Sequence, residues 1–159
     1  MVRNIIKVIA GMAIVAALLF VVSCSDDDKN DFSQYLKKGK DERPSWKIPD
    51  DMYKNFEFTM SVQVIPQDEL LPYFSDDDLM CATIGGEVRA ISNLQRTGGE
   101  PYFPLLIAGD SGSAHVSISY YCSRLKRIYS IEDWMPFTPG MSPMQDGKPY
   151  VLNFFPVEK

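Results

Sequence analysis

FEFTMSVQVI, residues Phe56 to Ile65, sets Phe56, Phe58, Met60, Val62 and Val64 on one side of an extended chain and Glu57, Thr59, Ser61 and Gln63 on the other. Successive side chains of a strand point to opposite faces, so alternation of this length predicts a half-buried β-strand. Six more short strand-like runs follow: LMCATI, EVRAIS, YFPLLIAG, AHVSISYYCS, RIYSI and PYVLNFF, each bounded by Gly, Pro, Asp or Ser. Gly85-Gly86, between the first two of these, has the form of a hairpin turn, where positive φ is required. No segment after residue 24 keeps a helical period over three turns, and prolines such as Pro136, Pro139, Pro143, Pro149 and Pro156 mark a loop-rich C-terminal third. The expected fold is all-β: an antiparallel, immunoglobulin-like β-sandwich of about seven strands over residues 46–159.

Upstream, SDDDKNDFSQYLKKGKDERPS is rich in charge, with Phe32, Tyr35 and Leu36 isolated. Such a segment buries too little to offset its ordering entropy and reads as a flexible leash, residues 24–45, spanning roughly 25 Å. Before it, Arg3 and Lys7 are the only charges ahead of an apolar run from Val8 to Val22. That run is short of the roughly 20 residues needed to cross a bilayer and has the layout of a secretory signal.

Val21-Val22-Ser23-Cys24 resembles the lipobox of bacterial lipoprotein precursors. The resemblance implies removal of residues 1–23, diacylglycerol on the Cys24 thiol and an N-acyl group on its new amine. The protein is then held at the membrane by several acyl chains, since one alone holds only marginally. The other reading is an uncleaved anchor helix. Ser25-Asp26-Asp27-Asp28 resembles the acidic export signal of Bacteroidota surface lipoproteins and implies an outer-membrane, cell-surface location. A solvated charge run on a periplasmic protein is the alternative.

The chain from Cys24 onward carries 14 Lys and Arg against 21 Asp and Glu, a net charge of −7. An acidic surface repels the phosphate backbone, which argues against a nucleic-acid partner. Over residues 46–155, Asp78, Leu79, Ala82, Gly85, Glu87 and Arg89 are similar to the acidic residue, apolar run and Gly-x-Glu-x-Arg-Gly hairpin of a sandwich module recurrent in Bacteroidota surface proteins. Ala90 replaces its final glycine, and Thr83 a typical aromatic. The resemblance implies a binding or assembly module and brings no catalytic residues.

Gly109-Asp110-Ser111-Gly112 matches the nucleophile motif of chymotrypsin-like proteases, but the single histidine, His115, follows it closely. A triad needs that base brought in from elsewhere with a carboxylate behind it, so the motif reads as a turn. Its Asp-Ser-Gly portion also follows Ile84-Gly85-Gly86, the wrong order for a dimeric aspartic protease. Asp76-Asp77-Asp78 lacks the alternating ligands of a calcium loop, and one histidine with Cys81 and Cys122 makes no zinc set. No catalytic residue, metal or diffusible cofactor is expected.

Cys81 and Cys122 lie in strands and are either a disulfide or buried thiols. Of the adjacent pairs Tyr120-Tyr121, Phe154-Phe155 and Tyr102-Phe103, one member each should face outward, to bind a ligand or to lie under covering chain. Trp134, Met135, Phe137 and Met141 form either a contact surface or a lid on one end of the sandwich. The functional expectation is a non-enzymatic, protein-binding accessory subunit of a starch-utilisation (Sus-type) nutrient-import complex. A direct glycan- or peptide-binding module is the alternative, and a hydrolase comes last.

Overall fold

The alternating stretch forms the central strand of one sheet in the computed structural model, which describes residues 32–110, 112, 115–141 and 143–156. In chain order the strands are β1 (Phe58–Pro66), β2 (Leu79–Ile84), β3 (Glu87–Asn93), β4 (Gln95–Thr97), β5 (Glu100–Gly109), β6 (His115–Cys122), β7 (Arg127–Pro136), β8 (Tyr150–Leu152) and β9 (Phe155–Pro156). One sheet has the order β4-β5-β1-β8, the other β3-β2-β6-β7-β9. All pairings are antiparallel except β8 against the end of β1, which is parallel. The chain is an all-β sandwich.

All seven expected runs carry strands, and the count rises to nine among the described residues for two reasons. β4, Gln95-Arg96-Thr97, has no apolar side chain; backbone pairing to β5 across the Gly98-Gly99 turn holds it, both glycines having positive φ. PYVLNFF divides, because Tyr150–Leu152 joins the first sheet and Phe155–Pro156 the second, with Phe154 buried at the crossing.

Met60, Val62 and Val64 of β1 are fully buried opposite Ile107, Leu105 and Phe103 of β5. Met80, Ala82, Val116, Ile118 and Tyr120 meet them from the other sheet. Burial of side chains this large contributes about 1.5–3 kcal/mol each. Tyr120 is the hub, with Phe103, Phe74, Phe154 and Tyr129 rings at centroid distances of 5.7, 6.1, 5.8 and 6.1 Å.

The leash expected over residues 24–45 is corrected from Phe32 onward. Phe32–Leu36 is a turn of 3-10 helix, and Phe32, Tyr35 and Leu36 pack together against the core. The Phe32 ring lies 5.9 Å from that of Tyr129, whose hydroxyl donates to the Tyr35 carbonyl at 2.8 Å. The chain then continues as a strap. Gly39 N–H donates to the Leu125 carbonyl (2.7 Å) and Asp41 N–H to that of Lys126 (3.0 Å). The Asp41 carboxylate accepts from Ile128 N–H (2.9 Å), and Arg43 donates to the Asp77 carbonyl (2.8 Å). These anchors carry the strap from β7 toward β2, and it ends where Phe56 lies 3.8 Å beneath the Arg89 guanidinium of β3. Composition averaged over the segment hid three apolar residues at close spacing and the backbone groups that seat it.

Candidate functional site

The strap makes the two outer faces of the sandwich unequal. On the five-stranded sheet, Leu79, Cys81 and Tyr121 alternate with core residues and so point outward, yet all three are buried. Strap residues 38–43 lie beside Tyr121, and farther along the strap Pro44, Trp46 and Ile48 are half-buried while Ser45 and Lys47 are exposed. Tyr121 is thus an outward aromatic under covering chain.

The four-stranded sheet keeps an open outer face. Its register sets Ser61 beside Leu106, Gln63 beside Pro104, and Ile65 beside Val151. Leu106 is 47% and Val151 57% exposed. The Tyr53 hydroxyl donates to the Leu106 carbonyl at 3.2 Å, occupying an acceptor on β5 where β4 no longer pairs with it. Tyr53 comes from the four-residue helix α1 (Met52–Asn55) and is itself 51% exposed.

At one end of this face lies a cleft of about 220 Å³ lined by Gln63, Thr97, Glu100, Tyr102, Met144, Gly147 and Pro149. Two tight turns wall it: Gly98-Gly99 between β4 and β5, and Asp146-Gly147, with positive φ at both residues and Gln145 and Lys148 bridged across it. Gln63 N–H donates to the Pro143 carbonyl at 2.7 Å and fixes the second wall against β1. The Tyr102 and Thr97 hydroxyls are 3.1 Å apart. An aromatic ring, an amide, a carboxylate and a hydroxyl converge on a space below the usual 300–1,000 Å³ of small-molecule sites, suited to one ring or one side chain. Tyr102 was legible as half of an alternating pair, Phe103 turning inward. The walls were not assembled from sequence, although Gly98-Gly99 and Asp146-Gly147 are both hairpin dipeptides.

Other candidates resolve into structure. Phe137 is buried, Trp134, Met135 and Met141 pack half-buried against the core, and the Trp134 ring meets Tyr150 edge-on at 6.0 Å. Packing of this kind is what the lid reading describes, and Trp134, Met135 and Met141 each keep part of their surface exposed. Of the two readings of Cys81 and Cys122, the structure has the buried thiols and not the disulfide: both are free and buried. Cys81 pairs in register with Ser119, three residues before Cys122, so the two thiols project from opposite faces of the sheet. Burial pushes the Cys81 thiol up to about 12 and raises that of Cys122.

The three aspartates entering β2 have separate tasks. Asp76 pairs with Arg96, and Asp77 offers its carbonyl to Arg43. Asp78 is fully buried and accepts from the Tyr120 hydroxyl (2.7 Å), Ser123 N–H and hydroxyl (2.8 Å each) and Ser75 N–H (3.1 Å). Among the described residues no group of three or more His, Cys, Asp or Glu could hold a metal ion. Arg89, from the hairpin motif, is the extra residue of a bulge in β3. It pairs with Glu87 at 3.0 Å, while its Nε and Nη1 are buried and meet no protein acceptor. Asp110 accepts from Glu57 N–H, and β5 and β6 on either side of it belong to different sheets. Ser111 lies outside the described residues, as do Cys24, Ser25, Asp26, Asp27 and Asp28. No described helix is long and apolar enough to cross a membrane.

Comparisons with protein families, curated proteins and solved structures find no match to this chain.

Proposed function

We propose that the chain is a non-enzymatic outer-membrane lipoprotein, lipidated on Cys24 and carried to the cell surface by Ser25–Asp28. Its sandwich binds a membrane-embedded protein as an accessory subunit of a Sus-type nutrient-import complex. The observation that carries the binding role is the contrast between the two outer faces. The protein covers one with its own strap and leaves Leu106 and Val151 open on the other. The membrane partner follows from reach: with Cys24 in the bilayer, the chain to Phe32 extends at most about 28 Å. A direct glycan or peptide ligand is the second reading, supported by Tyr102 converging with Gln63, Glu100 and Thr97 on the small cleft.

The test is gentle detergent extraction from the native membrane. Wild type is expected to bring down an integral outer-membrane protein, and the double variant Leu106→Asp/Val151→Asp to lose it at an unchanged thermal midpoint, because both side chains face solvent. Wild type eluting alone, or the variant retaining its partner, contradicts the docking role. The mass of the Cys24 peptide checks the anchor separately, with two or three acyl groups expected.

A further inference from the structure

Charge is distributed unevenly over this acidic protein. Half of the 14 Lys and Arg that follow residue 23 gather where the strap meets the turn between β6 and β7. Lys37, Lys38, Lys40 and Arg43 come from the strap, and Arg124 and Lys126 from the turn; all six are exposed. Arg127, half-buried beside them, donates to the Lys37 carbonyl. The two groups are distant in sequence and are joined by the backbone bonds from Gly39 and Asp41 to Leu125 and Lys126. Between them is an open hollow of about 520 Å³, lined by Lys38, Lys40, Arg43, Tyr121 and Lys126 with Asp41 and Glu42. Asp41 is committed to Ile128 N–H, and Asp77 stands at the margin beneath Arg43. The local balance is strongly positive on a chain whose net charge from Cys24 is −7.

We propose that this basic end is a docking surface for the phosphate-bearing headgroups of the membrane to which the protein is tethered. The inference rests on the lipid-anchor reading, because it is the tether that keeps Phe32, at this same end, near the bilayer. Among the described residues the acidic groups placed with these seven cations are Asp41, Glu42 and Asp77, too few to balance them. Near an anionic surface each Lys or Arg contributes about a fivefold gain in binding, so several together hold the domain end-on. The four-stranded face is then presented sideways, toward neighbours in the same membrane.

The chain from Cys24 to Lys159, made without lipid, should sediment with phosphatidylcholine vesicles containing about 30 mol% phosphatidylglycerol and not with phosphatidylcholine alone. Lys38→Gln, Lys40→Gln and Lys126→Gln should each weaken sedimentation about fivefold. Lys47→Gln and Lys54→Gln, equally exposed but elsewhere, should leave it unchanged. Equal sedimentation with neutral vesicles, equal losses for the control lysines, or full competition by millimolar inorganic phosphate would overturn the proposal, the last by showing a small-anion site. Because the protein itself carries no acyl chain in this assay, the result is independent of whether Cys24 is acylated in the cell.

Discussion

Asp78 accepts four hydrogen bonds in a place with no exposed surface, and the Tyr120 hydroxyl among its donors sits at the centre of the aromatic core. Burial, then the nearby Cys122 and Asp78, raise the Tyr120 phenol above its ordinary range, so it stays protonated and donates. Asp78→Asn keeps the shape but turns half of the acceptor toward donors. We expect a loss of about 3 kcal/mol, seen as a lower urea midpoint at constant m-value; an unchanged midpoint would show that the network adds nothing. The thiols set an alkaline limit. Cys81 ionises near 9.0 when unfolded and near 12 when folded, so its contribution is full below pH 9 and falls as pH rises from there toward 12. Cys122, Tyr120 and Tyr129 shift the same way through burial. Base titration followed by circular dichroism should show unfolding begin above about pH 9, with both thiols reacting with Ellman's reagent only as structure is lost. Rapid labelling of Cys81 or Cys122, as distinct from Cys24, in native protein at pH 7 would contradict this.

Among the elements, the strap depends on one close approach. A Cβ on Gly39 would lie 2.6 Å from both the Lys126 carbonyl oxygen and Arg127 Cγ. Gly39→Ala should therefore lift the strap from the β6–β7 turn and cost about 1–3 kcal/mol, measurable as faster amide exchange at Gly39 and Asp41. Wild-type protection in that variant would mean the strap is seated by other contacts. This element also shows how far sequence reading reaches. β1 was legible because it alternates over its own length, and β2, β3, β5 and β6 as short apolar-rich runs between turn residues. The strap was not, since its contacts are backbone bonds to a turn near residue 125, which no local pattern encodes. β4 was hidden for the same reason, and the small cleft because its walls meet only after β4 and the 144–149 turn come together beside β1. Register explains the cysteines: parity on a strand is readable within one run, but the pairing of β2 with β6 is needed to place two runs on opposite faces.

At the scale of the molecule, the first and last described segments both fasten the sandwich. The Tyr129 hydroxyl reaches back 94 residues to the Tyr35 carbonyl, and Phe154 N–H reaches back 87 residues to the buried side chain of Gln67. β8 completes one sheet and β9 the other. Timing follows from that layout. β1 cannot be enclosed, nor the 3-10 turn seated, until β7 and then Leu152 and Phe154 have been synthesised, and such distant pairings form slowly, over milliseconds to seconds. A nascent chain of this topology therefore stays threadable for most of its elongation. The export proposed above, through a narrow pore and before folding, calls for that condition, which the order of the strands favours.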